Sequence, residues 1–248
     1  MDLGIAGRWA LVCASSRGLG FGCADALAGE GVNLVVNGRD AASLAQAASR
    51  LRGRGVQVEE VAGDVTDPGV RERMLAAAPR VDILVNNAGG PPPGDFRDWG
   101  EDDWTGALKA NMLTAVDLVR ATVDDMASRG YGRVVNITSA SVKSPLPGLG
   151  LSNGARSGLT GFIAGVARQP QLASRGVTLN NLLPGRFDTD RIRRLSDGVL
   201  PEPTGIPAGR FGRPGEFGAA CAFLCSEQAG YITGQNLLLD GGAYPGTF

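Results

Sequence analysis

No histidine occurs anywhere in the 248-residue sequence. That absence excludes a Ser-His-Asp or Cys-His nucleophile system and any His-ligated zinc. Lysine is almost as scarce, with Lys109 and Lys143 alone, and only three tyrosines are present. No uninterrupted apolar run approaches the ~20 residues that a membrane helix needs, so no membrane partner is expected. The start, Met1-Asp2-Leu3-Gly4, lacks the basic stretch and apolar run of a signal peptide. A formal charge of -1 leaves no basic excess to neutralise a phosphate backbone, which argues against nucleic acid as a partner. The four cysteines, Cys13, Cys23, Cys221 and Cys225, form no C-x-x-C pair. They are expected to be reduced, mostly buried thiols of a cytoplasmic protein with no metal site. Arginine supplies nearly all of the 24 basic residues, as in proteins from GC-rich bacterial genomes.

What is present is 43% apolar residues and 38 glycines, enough to bury the core of one domain. Short apolar runs alternate with amphipathic segments. Strands are expected at Trp9–Cys13, Val32–Asn37, Val56–Val61, Val81–Val85, Gly132–Ile137, Val177–Leu183 and Asn236–Leu239. Helical text follows the first strand to Gly31, and Asp40 is the expected N-cap of a helix carrying Leu44, Ala47, Ala48 and Leu51. Thr66-Asp67-Pro68 supplies a cap and a first-turn proline, and one long helix is expected over about 101–128. Strands buried on both faces read as continuous apolar runs, and helix-length connections suit parallel neighbours. The sum is a single doubly wound α/β domain of the Rossmann type, about seven parallel strands with helices on both faces.

The first strand runs into Cys13-Ala14-Ser15-Ser16-Arg17-Gly18-Leu19-Gly20, which opens a helix. Glycines in that place let the backbone approach a pyrophosphate, whose charge the helix N-terminus favours. A Gly-rich turn is weak evidence alone; its place between first strand and first helix gives it weight.

With these residues in view, the chain resembles a short-chain dehydrogenase/reductase of the oxoacyl-carrier-protein-reductase-like branch, over nearly its whole length. The loop is similar to the family's Thr-Gly-x-x-x-Gly-x-Gly, with Cys13 and Ala14 in place of Thr-Gly. Asp64-Val65 resembles the pair that meets adenine, and Asn86-Asn87-Ala88-Gly89 matches the family's Asn-Asn-Ala-Gly. Asn111 lies where the long helix carries the active-site asparagine. Pro184-Gly185-Arg186-Phe187-Asp188-Thr189 resembles the segment that covers nicotinamide. The resemblance thus implies a cofactor site of Ser15, Ser16, Arg17, Gly18, Leu19, Gly20, Asn37, Arg39, Asp64, Val65, Asn87, Ala88, Gly89, Pro184, Gly185, Phe187 and Thr189. After the second strand stands Asn37-Gly38-Arg39, with no carboxylate until Asp40. Arg17 and Arg39 together suit a 2′-phosphate, so NADP(H) is expected over NAD(H); the alternative is two solvated surface arginines.

The family pattern breaks at its catalytic residues. Typical members use a Ser, a Tyr thirteen residues later and a Lys four beyond that. Here Ser139 keeps the serine position, but Ser152 stands at the Tyr position and Arg156 at the Lys position. Leu159-Thr160-Gly161-Phe162 stays in register downstream, so a slipped alignment does not explain the change. Arginine can hold a positive field and donate hydrogen bonds but not a proton. Serine is a far weaker acid than a phenol of pKa ~10. The proton is therefore expected from Ser139, Ser152, water, the substrate, or Lys143. Lys143 is a candidate acid if it lies near Arg156, and otherwise a solvent-facing loop lysine.

Gln169-Pro170-Gln171 is expected to end or kink the helix after Arg156. In the family this helix and the Asn111 helix form a dimer contact, so a homodimer or homotetramer is expected. The stretch 188–209, rich in Pro and Gly, suits a mobile lid over the substrate rather than a packed helix, and Pro91-Pro92-Pro93 stiffens the opposite rim. Arg186, Arg191, Arg193 and Arg194 either attract an anionic substrate or form a solvated basic face. The leading expectation is an enzyme, an NADPH-dependent reductase of a small carbonyl, activated or polyketide-like, with Asn111, Ser139, Ser152, Arg156 and Lys143 as catalytic candidates. Non-redox chemistry on the same fold (dehydration, isomerisation or hydrolysis) and a catalytically silent NADP-binding protein are the alternatives.

Overall fold

The computed structural model describes residues 2–194 and 200–247. Residues 195–199 of the expected lid, and the side chains of Arg191 and Arg194, lie outside the described residues. Seven strands form one sheet: β1 (Trp9–Val12), β2 (Asn33–Gly38), β3 (Val58–Ala62), β4 (Ile83–Asn86), β5 (Gly132–Ile137), β6 (Val177–Pro184) and β7 (Asn236–Leu239). Their order is β3-β2-β1-β4-β5-β6-β7 and every neighbouring pair is parallel. The chain reverses direction across the sheet between β1 and β4, so a crevice opens at their carboxyl ends, where ligands of such sheets bind.

The pleat sends alternate residues to opposite faces. Ala10, Val12, Leu34 and Val36 join one buried cluster, while Trp9, Leu11, Cys13 and Val35 join the other. The first cluster is covered by α1 (Gly18–Gly29), α2 (Ala41–Arg52) and α9 (Pro214–Leu224); the second by α3 (Pro68–Ala76), α5 (Thr114–Ser128) and α6 (Gly150–Val166). Helix α4 (Glu101–Leu108) precedes α5, and two short helices, α7 (Pro170–Ala173) and α8 (Asp190–Arg194), flank β6. Edge strand β3 exposes Glu59 and Glu60, and such charges discourage edge-to-edge pairing.

Asp40 caps α2 by accepting from the Ser43 amide at 2.8 Å, and Asp67 caps α3 ahead of Pro68. Helix α6 ends at Val166, and Pro170 opens α7 as a first-turn proline. Where one helix was expected over 101–128, a five-residue π-turn, Lys109–Leu113, separates α4 from α5. The Thr114 amide bonds the Lys109 carbonyl, five residues back, and the Thr114 hydroxyl reaches the same oxygen at 2.8 Å. Asn111 sits in that widened turn, a feature common at functional sites. In the expected lid, Asp190–Arg194 is helical. Beyond the undescribed residues, Ile206 is buried and the Ala208 amide bonds the Gly241 carbonyl at 3.0 Å.

Helices α1 and α9 cross in backbone contact. A Cβ on Gly22 would stand 2.3 Å from the Pro214 carbonyl oxygen, and one on Gly218 would stand 2.1 Å from that of Gly22. All four cysteines are buried and reduced. Among the described residues no helix is long and apolar enough to cross a membrane, and no cluster of metal-ligating side chains occurs.

Candidate active site

The loop from β1 to α1 is braced from below. Ser15 is fully buried: its hydroxyl donates to the Val12 carbonyl at 2.8 Å and accepts from the Asn37 amide at 3.1 Å. It lines neither part of the groove, so its place is to tie the loop to β2. The Asn37 side chain donates to the carbonyls of Val61 and Gly63, each at 3.0 Å, and accepts from the Ala14 amide at 3.3 Å. Ala14, where the family carries glycine, has φ +45°, a left-handed conformation that strains an alanine. Gly20 lies so close beneath it that a Cβ would meet the Ala14 carbonyl oxygen at 2.4 Å. Asn87 at the end of β4 closes the cradle by donating to that same oxygen at 3.2 Å.

One part of the groove is lined by Ser16, Arg17, Asn37, Gly38, Arg39, Asp40, Asp64, Val65 and Asn87–Gly89, and has a volume of about 470 Å³. Hydrogen bonds from Ser43, and then the nearby Arg17 charge, hold the Asp40 carboxyl below the usual carboxylate range. That carboxylate is committed to capping α2. Burial pushes the Asp64 carboxyl up, but bonds from Thr66 and the charges of Arg39 and Lys109 outweigh it, and the group stays low. Arg17 and Arg39 thus stand at one end of the crevice.

The other part is lined by Gly18, Leu19, Asn87–Gly90, Ile137, Thr138, Ser139, Leu149, Ser152, Arg156, Pro184, Gly185, Phe187, Thr189 and Ile192. Phe187 is buried edge-on against Phe217 at 5.2 Å, which anchors the Pro184–Thr189 segment. The Thr189 methyl lies over the phosphate loop, 3.8 Å from where a Gly18 Cβ would be. Ser139 accepts bonds from both the amide (3.1 Å) and the hydroxyl (2.9 Å) of Ser141, so its own hydrogen is available to donate. Arg156 is buried, and its Nη1 donates to the carbonyls of Ile137 at 2.9 Å and Thr138 at 2.5 Å. Ser152 is buried one helical turn earlier on the same face of α6.

Asn111 does not line this open part. It lines a separate cavity of about 20 Å³ behind Arg156, shared with Cys13 and Asn86, large enough for one water. Asn111 Nδ2 reaches the Gly89 and Ala107 carbonyls at 3.4 Å, while its Oδ1 and that of Asn86 are buried without a partner. Burial pushes the Cys13 thiol up to about 12. Lys143 lies outside the pocket of Ser139 and Arg156, with Nζ 5.7 Å from the centre of the Tyr244 ring. Of the lid arginines, Arg193 is paired with Asp188 through two bonds of 2.9 Å, and Arg186 bonds the Thr204 carbonyl.

Sequence reasoning missed Gly90, Ile137, Thr138, Leu149 and Ile192. The signal for Leu149 was the helical spacing: positions 149, 152 and 156 fall on one face.

A parallel α/β sheet with a phosphate-type loop at its switch point, and a polar pocket beside it, defines a dinucleotide-binding fold. A family model described as enoyl-(acyl carrier protein) reductase matches residues 13–244. The 3-oxoacyl-(acyl-carrier-protein) reductase FabG of Escherichia coli (strain K12) is 36% identical over 251 residues, covering 96% of this chain and 98% of that protein. Dehydrogenase/reductase SDR family member 4 of Bos taurus is 35% identical, covering 94% and 86%. Among solved structures, the L-sorbose reductase from Gluconobacter frateurii complexed with NADPH and L-sorbose superposes with TM-score 0.91 at 30% identity, covering 99% and 100%. The NADP-bound 3-oxoacyl (acyl-carrier-protein) reductase from Agrobacterium tumefaciens C58 gives 0.88 at 34%, covering 97% and 95%. The chain belongs to the short-chain dehydrogenase/reductase family, a family of oxidoreductases acting on carbonyl and alcohol groups.

Proposed function

We propose that this protein is an NADPH-dependent reductase of a small carbonyl substrate, working without the family's Tyr acid. The observation that carries the reading is the pairing, along one crevice, of a two-arginine end with a pocket holding Ser139, Ser152 and Arg156. Residues Ser16–Gly20, Asn37, Arg39, Asp64, Val65, Asn87–Gly89, Pro184, Gly185, Phe187 and Thr189 fit a dinucleotide: all but Gly20 line one crevice, and Gly20, where a Cβ would meet the Ala14 carbonyl oxygen, lets α1 start directly beneath the loop. When bound, NADPH supplies the hydride. Arg17 and Arg39 hold the 2′-phosphate by charge-assisted bonds, and Asp40, engaged as a helix cap, does not compete for the ribose. Ser139 and Ser152 donate to the substrate oxygen, and Arg156 adds a fixed positive charge beneath it, worth most where charge develops on that oxygen. The relatives that carry NADPH or NADP in their structures support the cofactor assignment.

Fluorescence titration with NADPH and NADH, followed by loss of absorbance at 340 nm with ketones, diketones and quinones, tests the reading. Tighter NADPH binding and its consumption are expected. Conversion of substrate with NADPH unconsumed would transfer the assignment to non-redox chemistry.

A further inference from the structure

Among the described residues that line the nicotinamide-side pocket, Arg156 alone carries an ionisable side chain. A guanidinium keeps its protons in a protein, and the two serine hydroxyls are poor acids. Four described titratable groups on the surrounding elements are engaged elsewhere. Cys13, behind the loop, is buried in the separate small cavity. Asp188 is paired with Arg193. Lys143 faces the Tyr244 ring. Asp240, at the end of β7, accepts from the amides of Gly242 and Tyr244. Among its described residues, the pocket therefore offers hydrogen-bond donors and a fixed cation but no side chain suited to giving up a proton near neutral pH. Such a site stabilises an anion and does not neutralise it.

We infer that the substrate is a conjugated carbonyl of the quinone type, whose reduced form is released as a stabilised oxyanion, and that solvent water supplies the proton afterwards. This rests on the reductase reading above and names its substrate class. The balance is straightforward. The hydride, with its electron pair, joins the ring carbon conjugated to the C=O, NADPH being oxidised to NADP⁺, and the C=O electron pair moves onto oxygen as an enolate. As the product enters water that ring carbon gives up one proton, the ring becomes aromatic, and the two phenolate oxygens take two protons from water, a net uptake of one. A simple ketone would instead leave an alkoxide, a far stronger base that needs an acid during the step itself. In the structure the oxyanion would be met by Ser139, whose oxygen already accepts twice from Ser141, and by Ser152, which lines the same pocket.

Two measurements test this. The first needs no turnover: 4-nitrophenol is titrated spectroscopically while bound to the NADP⁺-loaded protein. Its ionisation should shift by about tenfold or more in proton concentration toward the phenolate. Ser139→Ala and Arg156→Met should each diminish that shift, the serine variant serving if the arginine variant folds poorly. Ionisation as in water, or a shift toward the neutral phenol, overturns the inference. The second compares kcat/KM for 1,4-naphthoquinone and cyclohexanone with NADPH. A preference of about 100-fold or more for the quinone, flat between about pH 6 and 9, is expected. Equal use of cyclohexanone, or an inflection in the quinone profile, overturns it. If phenolate binds but no carbonyl consumes NADPH, the reductase reading falls with the substrate class, while the anion site stands. If cyclohexanone is reduced and the phenol is unshifted, the reductase reading stands and the inference falls.

Discussion

The Nη1 atom of Arg156 lies 2.5 Å from the carbonyl oxygen of Thr138, one residue before Ser139. A side chain at the family's lysine position is thereby fastened to the end of β5, the strand that delivers Ser139. Arg156 both fixes the serine's backbone and sets a positive charge beneath the pocket. The two roles separate experimentally.

Removing the buried guanidinium in Arg156→Ala orphans the carbonyls of Ile137 and Thr138. A bond to a charged group contributes about 1.5–3 kcal/mol, so Tm should fall by roughly 3–10 °C for a chain of this size. Arg156→Lys should recover part of the loss. Calorimetry checks both variants, and an unchanged Tm in Arg156→Ala would remove the anchoring role.

In the proposed reaction Ser139→Ala deletes one donor to the substrate oxygen and leaves the two arginines of the cofactor end untouched. Turnover should drop by about 100-fold or more with the NADPH dissociation constant unchanged, measured by fluorescence titration beside the 340 nm assay.

Arg39→Ala should weaken NADPH by about 10–100-fold, the size of one charge-assisted bond, and leave NADH affinity nearly as it was. Equal loss for both cofactors would place Arg39 away from the 2′-phosphate.

How much of this was legible beforehand divides along physical lines. The strands were readable because both faces of a parallel sheet are buried, and Asp40 and Asp67 were readable as caps because capping is local chemistry. The Ser152 and Arg156 substitutions showed because the following Leu-Thr-Gly-Phe fixes the register. The π-turn at Lys109–Leu113 did not show, since the apolar pattern continues through it and the extra residue is absorbed by hydrogen bonding alone. The burial of Ser15 and the direction of Lys143 toward Tyr244 were equally hidden, because they depend on β2 and on a segment a hundred residues away.

Ala14 tests the strain in the phosphate loop. At φ +45°, Ala14→Gly relieves a cost of about 1–2 kcal/mol, partly offset by the more flexible unfolded chain, so Tm should rise slightly. Ala14→Val, β-branched in a left-handed position, should lower it; the opposite order would contradict the loop geometry.

Acid stability reports on the α9 cap. The Arg210 side-chain bonds and the Arg213 amide pull the Glu216 carboxyl down to about 2. A depressed folded pKa stabilises above the ordinary glutamate value of about 4.3 and loses that stabilisation as pH falls toward 2. Glu216→Gln should flatten the decline of Tm in that window and leave its slope above pH 6 unaltered.

The central claim is hydride transfer from NADPH to a carbonyl substrate in a pocket whose described lining includes no phenol, and the isotope content of the product tests it most directly. Turnover of a quinone or diketone with NADPH deuterated at both C4 positions should place one deuterium from the cofactor in the reduced product, or lose it to solvent only from an exchangeable position. For a diketone, where the new C–H bond does not exchange, mass spectrometry should show a gain of one deuterium per molecule. A converted diketone carrying none would contradict the account.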